Sequence, residues 1–289
     1  MLKKKAILRI CFIFCLILFN SARLEASALR IDQSKIRFIA PPGEARNGEI
    51  NIDNTEDRVM HVKVYPEEWT YSSKQDGTKE FQVAGVGAFS ASGWITFFPS
   101  EFDVPPFGRQ TVNYTVRVPQ DAVGGHYAVL FFEHTLGDVG QKENVGMNLI
   151  MRIGVIFYIE PQGTIVRKAE VKGLNFTKTK EGYLGISADF KNTGNVDLLC
   201  SATFDIIDNK GQVYARGKFD DIYTLPGDNA TLTGTWSEPI PKGTYDLIVT
   251  LDLSKAPGED MPLSGQVITK EAQIQCSADG AVSKIGELK

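Results

Sequence analysis

The chain has 289 residues, a formal net charge of −4 and 43% hydrophobic residues, which suits a globular protein of one or two domains. The mild acidic excess disfavours nucleic acid or an anionic membrane as the main partner, because both select a basic face. Glycine and proline are scattered along the chain, as strand-and-turn proteins require.

The first residues read as an export signal. Lys3, Lys4 and Lys5 form a basic segment, Ile7 to Phe19 an apolar one, and Ala26-Ser27-Ala28 a small-residue cleavage site. Residues 1–28 are therefore expected to be a signal peptide, with an uncleaved anchor as the alternative. No small residue precedes Cys15, which speaks against a lipoprotein. The mature protein is expected to begin near Leu29, outside the cytoplasm.

From there on no long helical periodicity occurs, and short alternating segments separated by turn residues predict an all-β protein. "EINIDN" places Ile50 and Ile52 on one face, and "VMHVKVYPEEW" places Met60, Val62 and Val64 on one face. "GRQTVNYTVRVP" alternates Val112, Tyr114, Val116 and Val118 with polar neighbours, and "GGHYAVLFFEH" follows. "NVGMNLIMRIGVIFYIEP", residues 144–161, is the most apolar stretch of the mature chain, yet it is too short and too interrupted to span a membrane. Its row Val145, Met147, Leu149, Ile153, Val155, Phe157 and Ile159 suits a core. Ile150, Ile156 and Tyr158, on the other face, call for a second covering domain. About seven strands over roughly 130 residues is the count of a β-sandwich.

Pro161-Gln162-Gly163 marks a boundary, after which the pattern restarts. "GYLGISADFKN" is a strand, and "DLLCSATFDIIDNKGQVYARG" a hairpin with Asp208-Asn209-Lys210-Gly211 at its tip. "NATLTGTW", "GTYDLIVTLDL" and "VITKEAQIQC" complete a second sandwich. The expected architecture is two tandem immunoglobulin-like β-sandwiches, residues 29–161 and 162–276, followed by a small, polar, flexible tail, 277–289. Cys200 and Cys276 survive cleavage, and an oxidising compartment permits a disulfide between them. If they lie on strands C and G of an immunoglobulin-like sheet, strand F separates them by roughly 9.6 Å, more than the roughly 7 Å a disulfide tolerates. A Cys276 past its strand end would escape that limit, so both states stay open.

Four segments of the first half, in order, resemble the N-terminal domain of PapD-like periplasmic pilus chaperones. "SKIRFIAPPGEARNGEINIDNTED" resembles the family's first two strands, "MHVKVYPEEW" its third, "WITFFPSEFDVPPFGRQTVNYTVRVP" a strand–proline–turn–strand unit, and "MRIGVIFYIEP" the aromatic last strand that exits through a proline. The resemblance covers roughly residues 30–161. It implies β-augmentation, in which the last N-domain strand enters the groove of an unfinished subunit. The subunit-binding strand would present Val145, Met147, Leu149 and Met151. The family also anchors a C-terminal carboxylate on two basic residues. The first falls at Lys35. The second, a lysine, is replaced by Gly154 or Ile156, and Arg152 is the nearby basic residue. The implied partners are a pilin-like or surface protein subunit and outer-membrane assembly machinery, and the implied location is the periplasm. The second half is also similar to immunoglobulin-like modules of two-domain cell-surface proteins that accompany WxL-domain proteins, which implies an adhesion or wall-binding module at the cell surface instead.

Enzymatic signals are weak. His61, His126 and His134 form no metal-spaced pair, and each reads as an ordinary solvated side chain. "GVGAFS", residues 85–90, is followed by no helix that could hold a phosphate and reads as a flexible connection. No nucleophile elbow and no repeated CxxC occur. A non-enzymatic protein without cofactor, metal or small-molecule substrate is expected.

Overall fold

The structure is a computed structural model that describes residues 29–138, 148–255, 263 and 265–289. The expected signal peptide, Val145 and Met147 lie outside the described residues. The first part of the chain forms β1 (Leu29–Ile31), β2 (Lys35–Ala40), β3 (Ala45–Asn54), β4 (Met60–Tyr71), β5 (Lys79–Val83), β6 (Ile95–Phe98), β7 (Glu101–Val104), β8 (Arg109–Arg117), β9 (His126–Asp138) and β10 (Asn148–Pro161). The second part forms β11 (Ala169–Lys178), β12 (Leu184–Asn192), β13 (Leu198–Ile207), β14 (Val213–Lys218), β15 (Ile222–Thr224), β16 (Asn229–Trp236), β17 (Gly243–Asp252), β18 (Val267–Cys276) and β19 (Val282–Ile285). A 3-10 turn, Ser92–Trp94, precedes β6. Among the described residues no helix is long and apolar enough to cross a membrane.

The fold is all-β, two sandwiches in tandem. In the first, one sheet has the order β1-β3-β8-β6 and the other β2-β10-β9-β4-β5, with β7 joined to the start of β4. Alternation explains the layering: Ile50, Ile52, Val112 and Val116 meet Met60, Val62, Val64, Leu130, Phe132, Val155 and Phe157 in one core. In the second, β11-β12-β16 faces β14-β13-β17-β18-β19, with β15 on the edge of β13. Phe190, Phe204, Leu232, Leu247, Leu251 and Ile274 fill its core.

A third apolar cluster lies on the outer face of the β2-β10-β9-β4-β5 sheet. Trp69 and Tyr71 of β4, Tyr127, Val129 and Phe131 of β9 and Tyr158 of β10 pack there with Leu225 of the second sandwich, and Ile156 and Tyr223 join them. This explains the near-continuous apolar runs of β9 and β10. Both faces of these strands are covered, one by the core and one by the neighbouring sandwich. Ile150 departs from the expectation of a cover, because it stands 55% exposed beyond the reach of the second sandwich.

The structure bears on one question left open, the cysteines, and on one expectation, the tail. Cys200 and Cys276 are buried free thiols, not a disulfide. Strand β17 lies between their strands. The two cysteines also sit at its opposite ends: Cys276 faces Gly243, whereas Ser201, next to Cys200, faces Asp252. Nine residues of strand separate those levels, about 30 Å. The tail is not a loose end either. β19 adds to β18 over Gln273–Cys276, and Glu271 and Lys289 exchange two backbone hydrogen bonds.

Candidate functional site: a long strand edge and the cleft beside it

β10 is paired with β9 along its length, but on its other edge β2 runs parallel to it only from Lys35↔Ile156 to Ala40↔Pro161. The Ile156 N–H donates to Ser34 O at 3.0 Å, which fixes where β2 begins. β10 therefore outruns β2 by residues 148–155, about 26 Å of strand. No described strand pairs with that stretch on the β2 side. Along one face the side chains emerge from the core in steps. Phe157 and Val155 are 0% exposed, Ile153 and Met151 pack partly against the core, and Leu149 is 49% exposed. Of the four residues expected to form the subunit-binding strand, Leu149 and Met151 lie on this emerging row.

The opposite face of β10 belongs to the cleft. Lys35, half-buried, stands beside Ile156, its parallel strand partner on β10. Arg152 is not brought to Lys35. It lies four residues farther along β10, about 13 Å. Its guanidinium covers the Phe131 ring at 3.8 Å, and its Nη1 donates to Glu67 Oε1 at 2.9 Å and to the Tyr65 hydroxyl at 3.2 Å. Gly154 makes that packing possible, since a Cβ there would come within 2.9 Å of Phe131 and Val129 side-chain atoms. The cation that does reach the cleft comes from β5. Lys79 Nζ sits 4.9 Å from the Trp69 ring centre and 5.2 Å from that of Tyr71. Burial lowers the Lys79 pKa, Asp197 opposes the shift, and the charge of Lys35 adds to it. Lys35 and Lys79 both stand on this outer, aromatic-floored face of the sheet, at its two ends in β2 and β5. Sequence reading missed Lys79 because "SKQDGTKEF" looks like a solvated turn and strand exterior.

The cleft is closed at one end by a buried ionic cluster. Arg37 of β2 bonds Glu160 of β10, Arg167 donates to the other Glu160 oxygen at 2.6 Å, and Arg37 lies 3.9 Å from Asp197. The four side chains are between 1% and 6% exposed. Two cations face two anions, so the cluster carries no net charge in the low-dielectric interior, where an unpaired charge is costly. The Tyr127 hydroxyl accepts the Asp197 N–H at 2.5 Å and donates to Asp197 Oδ1 at 3.2 Å. Burial raises the Asp197 pKa against the pull of Arg37. β2, β10, the 162–168 connection and the β12–β13 turn are joined here across the sandwich boundary.

The histidines divide. His61 is exposed between Asp103 and Glu101, each 2.8 Å away, and both raise its pKa. The other two are not the solvated side chains expected. His134 is buried with Nδ1 2.8 Å from His61 O. His126 stacks on Trp94 at 4.1 Å, and burial lowers its pKa. The loop 85–90 is held by Glu68, a buried carboxylate that accepts the N–H groups of Gly85 and Gly87. Among the described residues no group of three or more His, Cys, Asp or Glu is placed to hold a metal ion.

No family model matches the chain, and no curated protein matches it. Solved structures do. The chain is similar to the chaperone–tip adhesin complex of CFA/I fimbriae biogenesis, at 10% identity and a TM-score of 0.45, over 84% of this chain and 97% of that one. It is similar to the class 5 fimbriae chaperone CfaA, at 11% identity and a TM-score of 0.43, over 84% and 98%. It is also similar to the CsuC–CsuE chaperone–tip adhesion subunit complex from the archaic Csu pili of Acinetobacter baumannii, at 12% identity and a TM-score of 0.41, over 84% and 98%.

Proposed function

We propose that this protein is a non-enzymatic periplasmic chaperone of pilus assembly that holds a pilin-like subunit by strand addition to β10. The carrying observation is the overshoot of β10 beyond β2, with Leu149 and Ile150 exposed on its two faces. Backbone groups along such an edge bind an extended segment, and alternate apolar side chains select it.

The cleft sets the direction of the guest. A strand added along residues 148–155 parallel to β10 would lie in line with β2 and end where β2 starts, at Ser34 and Lys35. Its C-terminal carboxylate would then meet the Lys35 and Lys79 ammonium groups. An antiparallel guest would bring its cationic N-terminus to the same two lysines, a like-charge encounter. The anchor is accordingly assigned to Lys35 with Lys79, and Arg152 orders the Phe131–Tyr65 face. Export and the periplasmic location rest on the signal-like segment 1–28.

Coexpression with a candidate subunit in the periplasm tests the function. The expected result is a soluble complex that is lost with Leu149→Thr and weakened by Lys35→Ala or Lys79→Ala. A protein that fractionates with the envelope unaided and leaves the subunit insoluble would instead be the surface or wall-binding module.

A further inference from the structure

Among the described residues β5 is an edge strand paired with β4 alone, and its residues Glu80–Val83 are exposed. Nothing in β5 itself would keep a flexible lysine at its first position turned over the sheet face, since an edge strand has no second neighbour to order it. The β4–β5 hairpin supplies the missing constraint. It is closed by Ser72 N–H to Thr78 O at 2.9 Å, and its tip reaches the second sandwich. There Gln75, in the left-handed region with φ +54, accepts the Tyr223 N–H on its carbonyl at 2.9 Å. Its side-chain amide donates to Asn229 O at 2.9 Å. Gly77, with φ +91, lies flat against the Tyr223 ring, where a Cβ would stand 3.1 Å from ring carbons. Tyr223 in turn packs on Tyr71 at 5.6 Å, and Tyr71 is the strand partner of Lys79. Lys79 Nζ donates back to Gly77 O at 3.4 Å.

We propose that hairpin 72–78 is a strap by which the second sandwich holds Lys79 over the cleft, making Gln75 and Gly77 positioning residues for the carboxylate anchor. This deepens, and rests on, the assignment of the anchor to Lys35 and Lys79. It gives the second sandwich a part in guest binding: through Tyr223 and Asn229 it sets where one of the two anchoring charges stands. The charges that act on Lys79 are those of Asp197, from the β12–β13 turn, and Lys35, from β2.

The test uses the whole mature protein and a synthetic guest, a peptide of alternating valine and threonine with either a free C-terminal carboxylate or an amide. Two readouts are taken, the acid-over-amide affinity ratio and the titration of Lys79 followed by NMR of its Cε and Nζ. The unsubstituted protein should prefer the acid by roughly tenfold and show Lys79 titrating below an ordinary lysine. Gly77→Val places a branched side chain against Tyr223 and forces a disfavoured φ. It should return Lys79 to ordinary lysine behaviour and reduce the preference to under about threefold, while affinity for the amide stays put. Gln75→Gly keeps the left-handed turn and removes only the amide bond to Asn229, so it should move both readouts part of the way. It serves as the decisive variant if Gly77→Val does not fold. Unchanged titration and an unchanged ratio in the folded variants would overturn the strap. In that case the anchor would still stand if Lys79→Ala removes the preference. No acid preference in the unsubstituted protein would overturn the anchor and the strap together.

Discussion

A threonine series along β10 separates core from guest-facing residues. Val155 is 0% exposed in the core, so Val155→Thr keeps the shape and buries a hydroxyl. Burying an unpaired hydroxyl costs about 1 to 3 kcal/mol in protein interiors, and the lost methyl adds about 0.8 kcal/mol. A loss of about 2 to 4 kcal/mol is expected, and at roughly 2 to 4 °C per kcal/mol for a chain of this size it lowers Tm by several degrees. Leu149 is 49% exposed, so half of its transfer free energy is absent in the free protein. Leu149→Thr should therefore cost under about 1 kcal/mol. Ile153→Thr, half-buried, should fall between. Guest capture should run the other way, because burying the exposed half of Leu149 in a guest groove contributes about 0.8 to 1.5 kcal/mol, so its loss weakens affinity roughly four- to tenfold. Urea midpoints of the free variants and affinities for one subunit give the two gradients. Equal destabilisation by Leu149→Thr and Val155→Thr would make residue 149 core and remove the strand-addition mechanism.

Capture should weaken as pH rises through the depressed pKa of Lys79, because a bound carboxylate favours the protonated amine. In the free protein, stability should rise over the same window up to the ordinary lysine range, since the unfolded chain then holds a proton the folded one has lost. Lys79→Met should flatten both profiles. Asp53 is held to about 2 by Arg109 and then Arg30, across three adjacent strands. Its contribution is fully present above the ordinary aspartate pKa and is lost as pH falls through about 2. As an exposed network it should be worth no more than about 1 kcal/mol, which acid titration of Asp53→Asn against the parent measures. Glu160→Ala leaves Arg37 and Arg167 buried without their carboxylate and should cost about 3 to 5 kcal/mol in urea unfolding. Burial pushes the Cys200 thiol up to about 12 and raises that of Cys276. Thiol reagents should find neither in the native protein and both in denaturant; a protein with none in denaturant would carry the bridge.

The alternation that identifies strands is local, and where it is strong the elements agree with it. "GTYDLIVTLDL" became β17, "NATLTGTW" became β16, and the tip Asp208–Gly211 separates β13 from β14. The apolar second face of β10 was legible as a demand for cover, because Ile156 and Tyr158 leave no polar side to face water. What satisfies the demand was not legible. Leu225 and Tyr223 sit in a short strand and turn more than sixty positions away. β19 was missed because "VSKI" buries little, and its place depends on edge pairing with β18. The ionic cluster left one trace, in that Arg37 and Glu160 interrupt otherwise apolar strands. Their partners Arg167 and Asp197 lie in connections, where charge is ordinary. Lys79 left none, since only the strap around Gln75 and Gly77 turns an edge residue toward the cleft.

The two ends of β10 carry opposite mechanical roles, and the buried cluster explains why they can. Near Pro161 the strand is held by β2 on one edge, β9 on the other, the core beneath and the second sandwich above, with Glu160 tying Arg37 to Arg167. Near Asn148, among the described residues, it keeps β9 and the thinning edge of the core. Local opening follows the density of such contacts, so the Asn148 end is the cheaper end to rearrange when a guest strand arrives. The Pro161 end cannot follow it without exposing paired charges one at a time. On the proposed reading, a rigid root beneath an adaptable tip would keep Lys35 in register beside Ile156 while the Asn148 end adjusts to the guest, whereas a strand equally free along its length would bind the segment and lose that register.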